Sequence, residues 1–164
     1  MLKAEDLLYV DYIDNILNDI KLCDDGKKLR TYKIFKTDFR LEHYLLHLKS
    51  PKHRQAIAQF RLSSHNLGIE TGRHCRPVKP VSERICKYCD SGEIDDEVHF
   101  LLKCNAHELL RADLIICAKE SIEEFDTLTE SERLAEIMKS SNKSLIESTA
   151  NFVYKAFNER ECRT

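Results

Sequence analysis

The chain has 164 residues, 42% of them apolar and 33% charged, a composition that excludes a fibrous or disordered protein and suffices for one domain with its own core. Four glycines and three prolines are too few for an all-β design, and no apolar run approaches the roughly 20 residues that span a bilayer, so no membrane partner is expected. The net charge of −2 hides blocks: residues 1–26 carry −5, residues 27–80 set thirteen Lys or Arg against Asp38, Glu42 and Glu70, and residues 81–164 carry −7.

The first element predicted is a helix through Leu2, Leu7, Leu8, Val10, Ile13, Ile16, Leu17 and Ile20, with acids opposite and flanking, ended by "DDG" at Asp24–Gly26. Its acids stand where a secretion signal needs basic and apolar residues, so the expected location is intracellular, nuclear or cytoplasmic. The seven cysteines are then expected to be reduced. Leu29, Tyr32, Phe35 and Phe39 keep a three-to-four spacing, and "FRLEHYLLHL" adds a second short stripe. Ser50 before Pro51 is a helix start, with Gly68 as its stop and Ile57, Phe60 and Leu62 facing the core. "GRHCRPVKPVS", Gly72 to Ser82, reads as an extended strap. After Cys104 helices resume: one is apolar at Leu109, Leu110, Leu114, Ile115 and Ile122, Thr129 with Glu132 is a capping-box pattern, and Leu145, Ile146, Phe152, Val153 and Phe157 mark the last. The expected fold is mainly α: a helical, basic segment (1–82), a small CCHC zinc-finger hairpin or knuckle (83–105) and a C-terminal helical segment (106–164), packed as one unit.

The middle of the chain carries the chemistry. Cys86, Cys89, His99 and Cys104 form C-x2-C-x9-H-x4-C, a spacing that lets two thiolates converge from a tight turn and brings an imidazole and a third thiolate back to them. Gly92 supplies the reversal. Three sulfurs and one imidazole make a closed tetrahedral set for Zn2+, with no open position for a catalytic water. His99 and Cys104 do not share a face of an ideal helix, so Cys104 is expected just past a helix end. The alternative is four side chains buried without metal. His74 with Cys75 is a weaker rival pair, and Cys117 in "LIIC" reads as core.

A zinc with three thiolates has a net charge of −1, and Asp90, Glu93, Asp95, Asp96 and Glu97 lie around it. Phosphate contacts are therefore expected elsewhere, at Lys52, Arg54, Arg61, Arg73, Arg76 and Lys79, making RNA or DNA the expected partner. The basic block could equally be paired by the acidic flanks, leaving a protein-interaction or self-association domain. Enzymatic activity and a small-molecule substrate are not expected: His43 and His47 stand four apart but lack a third ligand, and nucleophile, phosphate-loop and zinc-hydrolase motifs are absent.

The stretches "KLRTYKIFKTDF", "FRLSSHNLGIETGR", "CKYCDSGEIDDEVHFLLKC" and "NFVYKAF" together resemble the C-terminal region of reverse transcriptases from non-LTR, LINE-type retrotransposons and related animal proteins, over about Lys28 to Phe157. The most specific part is the ending with Glu97, His99 and Cys104. The resemblance implies ligand roles for Cys86, Cys89, His99 and Cys104, and a role in holding template RNA or target DNA. The Tyr-x-Asp-Asp centre and nucleotide-binding core of a polymerase are missing, so a fragment of that pattern or a stand-alone descendant is implied.

Overall fold

A computed structural model describes residues 29, 31–36 and 40–162. The helix expected over Leu2–Ile20, and Phe39, lie outside the described residues. In chain order the helices are α1 (Tyr32–Phe35), α2 (His43–His47), α3 (Pro51–Arg61), α4 (Gly68–Thr71), α5 (Glu108–Ser121), α6 (Glu130–Lys139) and α7 (Lys143–Cys162). The fold is mainly helical, and no strand occurs among the described residues; a single antiparallel bridge joins Ile85 to Ile94. No helix among them is long and apolar enough to cross a membrane.

α7 is the central helix, packed against both α3 and α5. Its buried stripe runs Leu145, Ile146, Thr149, Ala150, Phe152, Val153, Ala156 and Arg160, the three-to-four spacing of one helical face. Asn142 starts it by accepting the Leu145 N–H at 3.1 Å. From α3 come Ala56, Ile57 and Phe60, and from the segment between α4 and α5 come Phe100 and Leu101. All three stretches of the chain thus contribute to one core, with the Phe100 ring 5.1 Å from Phe157 and 5.5 Å from Phe152.

Both expected helix starts are present. Ser50 Oγ accepts the His53 N–H with Pro51 in the first turn, and Thr129 and Glu132 form the reciprocal cap of α6. Other expectations are corrected. α3 stops at Arg61, and Gly68 opens α4 instead. The stop comes early because Ser63 takes a left-handed φ of 50°. Leu62 therefore turns outward, 41% exposed. Leu109, on the outer face of α5, is 92% exposed. Cys117 is only half-buried, packed against the core edge. The strap is not wholly extended: short 3-10 turns occupy Gly72–His74 and Val81–Glu83.

Candidate metal centre

The first half of the site is a narrow hairpin. Cys86 N–H donates to Glu93 O and Asp95 N–H to Arg84 O, both at 2.8 Å, clamping the two arms of the turn around residues 87–92. Gly92 takes a φ of 68°, a left-handed conformation open to glycine without steric cost. Ser91 Oγ accepts the Glu93 N–H and sits 3.2 Å from Cys89 Sγ, so the tip is fixed by its own polar groups.

The second half is a single wide turn. Asp96 Oδ1 accepts the His99 N–H at 2.8 Å, and residues His99–Lys103 form a π turn closed by Cys104 N–H on His99 O at 2.8 Å. Five residues at ordinary α pitch would leave His99 and Cys104 about 140° out of phase; the wider turn brings them back into register. Cys104 lies just past the helical residues, with φ −55° and ψ 113°, as its spacing from His99 requires. The buried Arg111 holds the turn open-ended, donating to Leu101 O at 2.8 Å and Cys104 O at 2.6 Å.

Together the halves converge Cys86, Cys89, His99 and Cys104, with all four ligand atoms within 4.8 Å of one another. Cys86 Sγ is 3.9 Å from Cys104 Sγ, and Cys89 Sγ is 3.3 Å from His99 Nε2. Bond lengths for tetrahedral zinc give S–S and S–N edges of about 3.8 and 3.6 Å. The cluster can hold a metal ion, and its donors are consistent with zinc. The hydrogen bond to Cys104 and burial push the Cys86 thiol up to about 12. The same bond brings Cys104 down to about 7, and hydrogen bonds to Cys86 and Glu93 raise His99 to about 9.

A second set of side chains orients the ligands. His99 Nδ1 lies 3.1 Å from Glu93 Oε2, whose carboxylate is also 2.8 Å from Lys103 Nζ; this directs Nε2 at the ligand cluster, the usual outer partner of a ligating histidine. Arg160, on the last turn of α7, is the residue that sequence reading missed. Its guanidinium pairs with both Asp95 oxygens at 2.8 and 3.0 Å. It also lies 3.9 Å from Cys86 Sγ and 3.8 Å from Cys104 Sγ. It is stacked between the Tyr88 and Phe100 rings at 4.4 and 4.8 Å, and its Nε donates to His107 Nε2 at 3.1 Å. A buried cation against two ligand sulfurs offsets the negative charge that three thiolates bring to a divalent ion. The signal was present: position 160 falls on the α7 core stripe after Ala156, where a cation needs a buried partner.

The acids around the motif divide: Asp90 is exposed, whereas Asp95 and Glu97 are buried. Asp95 and Glu97 are 3% and 0% exposed. Asp95 is held by Arg160 and by the Gly68 N–H at 2.7 Å. Glu97 Oε1 is 2.9 Å from His65 Nε2 and accepts from Ser63 Oγ at 3.2 Å.

The six basic residues separate into three groups. Lys52, Arg76 and Lys79 are exposed and Arg54 half-buried, and none of these four has a partner for its charge among the described residues. Arg73 is ion-paired with Glu70 at 2.9 Å. Arg61 is 4% exposed; it donates to Met138 O at 2.7 Å and Glu42 at 2.6 Å and lies 4.4 Å over the Phe35 ring. That overturns its expected phosphate contact: position 61 follows Ile57 and Phe60 on the inner face of α3. The strap bearing Arg76 and Lys79 is anchored to the knuckle by Arg84, which donates to Ile69 O at 2.8 Å and to Lys79 O at 2.8 and 3.0 Å. Gly72 leaves room for it, since a Cβ there would meet Arg84 Cγ at 2.6 Å. His74 and Cys75 stay outside the ligand cluster, and His43 on α2 is exposed.

No family model, curated protein or solved structure matches the chain.

Proposed function

We propose that the chain is a non-catalytic, zinc-braced helical module related to the region downstream of the polymerase in LINE-type reverse transcriptases, and that it binds RNA or DNA through the strap and α3. The observation that carries the zinc reading is the set of four ligand atoms within 4.8 Å, three sulfurs and an imidazole nitrogen. Four protein ligands fill a tetrahedral shell, so the ion braces the hairpin against the wide turn and leaves no place for an attacking water. The relationship to reverse transcriptases rests on the sequence resemblance; in the fold, Ser63 and His65 of "FRLSSHNLGIETGR" meet Glu97 of the cysteine motif. Two stretches that carry the resemblance are thereby one structural unit. Nucleic-acid binding is favoured by the unpartnered charges of Lys52, Arg54, Arg76 and Lys79, with the strap anchored next to the metal site.

Each phosphate contact releases condensed counterion, so the triple variant Lys52→Ala, Arg76→Ala, Lys79→Ala is expected to bind an oligonucleotide with a log affinity against log salt slope shallower by about 2–3. An unaltered slope refutes the assigned surface. Absence of binding by the unmutated protein at low salt favours a protein-interaction or self-association domain. Leu109 and Ile116, 92% and 56% exposed on one face of α5, are the observation on that side. Light scattering across ionic strength distinguishes the two readings.

A further inference from the structure

Beside the metal centre lies a cleft of about 430 Å³, opening between the end of α3, the start of α4, the hairpin and the last turns of α7. It falls in the size range of small-ligand sites, about 300–1,000 Å³. Its apolar lining includes Leu67, 1% exposed, and Phe157, half-buried and stacked on Phe100. Tyr88 adds a half-buried aromatic wall. Two amide-bearing residues, Gln59 and Asn66, line the same space, and the exposed Lys87 lines it as well; the side chains of these three have no partner among the described residues. The charges deeper in the cleft are already spent on each other, Asp95 on Arg160, and Glu161 has a partner of its own.

Aromatic walls, two unused amides that each donate and accept, and one free cation match a flat, neutral, hydrogen-bonding ring attached to an anion. We propose that the cleft takes one unpaired base of single-stranded RNA or DNA, with Gln59 and Asn66 on the base edge, Tyr88 and Phe157 packing against the ring, and Lys87 at the adjoining phosphate. A base held in a duplex cannot reach such a space, whereas single strands offer splayed bases that aromatic side chains and amides can engage. The inference rests on the nucleic-acid reading above and adds to it a preference for unpaired bases.

The test compares a mixed-sequence single strand of about 12 nucleotides with an abasic strand of equal length and charge, by fluorescence anisotropy on the zinc-loaded full chain. The abasic strand reports phosphate contacts alone. The intact strand is expected to bind about tenfold more tightly than the abasic one, the order of magnitude of one stacked and hydrogen-bonded base. Gln59→Ala with Asn66→Ala is expected to remove most of that preference while leaving abasic affinity unchanged. Asn66→Trp, which fills the cleft without altering any charge, should do the same. Equal affinity for the two strands, or a preference that survives both variants, overturns the base site while leaving phosphate binding standing. Binding to neither strand at low salt overturns both.

Discussion

Replacing Arg160 with methionine tests the claim that α7 completes the metal centre, because it removes one buried cation and keeps most of the side-chain volume. Arg160 is 5% exposed and Asp95 3%, so the variant strands a carboxylate in the interior. Breaking a buried pair by removing one partner costs about 3–5 kcal/mol. Asp95 keeps the Gly68 N–H at 2.7 Å, which places the expected loss at the lower end of that range. The two sulfurs near the guanidinium also lose their neighbouring positive charge, and loss of an outer partner of this kind lowers metal affinity by about 10–100-fold. At fixed free zinc above both dissociation constants, that weakening subtracts a further 1.4–2.7 kcal/mol or so. Urea unfolding at saturating zinc measures the sum of the two losses, and competition with a chromophoric chelator measures the second alone. Adding Asp95→Asn to Arg160→Met should restore much of the stability, since no buried charge is then unpaired, but should leave zinc affinity low. An Arg160→Met protein within about 1 kcal/mol of wild type, or with unchanged zinc affinity, refutes the reasoning.

Three further outcomes are expected. Cys89→Ser, or chelation of the wild type, should lower stability by several kcal/mol or prevent folding, because binding free energy of a structural zinc is folding free energy; a melting curve unmoved by chelator would rule out a structural ion. Zinc affinity should rise with pH between 6 and 8: Cys86 held up to about 12 and His99 up to about 9 keep protons that the ion must displace, so fewer hydrogen ions mean less competition. A chelator competition series that is flat over this range contradicts it. Thr129→Ala, which removes the side-chain cap of α6, should cost about 1 kcal/mol by urea unfolding with zinc content unchanged.

The ligand set was legible because its cues are local: a two-residue gap between cysteines, a glycine reversal, and a histidine-to-cysteine spacing that puts Cys104 past a helix end. The caps at Ser50 and Thr129 were legible for the same reason, each being a few residues long. Charge counting failed where the deciding partner is remote. Asp95 and Glu97 read only as negative charges around the zinc; Arg160, 65 residues on, and His65, 32 residues back, are the partners that enclose them. Arg61 was misassigned by counting its charge and ignoring its helical position on the buried face of α3. Gly68 was taken for a terminator because glycine ends helices more often than it starts them; here it lies close against Asp95 and Arg84 O, and that close approach, invisible from composition, accounts for its small side chain.

The placement of Arg160 has a consequence for how the protein is made. All four ligands precede it, the last by 56 residues, so a chain growing from its N-terminus at about 5–20 residues per second carries the complete thiolate set for roughly 3–11 s before its balancing cation has been added. During that interval the cysteines and histidine can capture an ion, but they do so without the arginine that offsets the excess negative charge and without the helix that walls off two of the sulfurs. Final covering of Cys86 and Cys104 is therefore tied to synthesis of the last turn of α7, and a nascent or shortened chain ending before that turn would present both thiols without the guanidinium that lies against them in the finished fold.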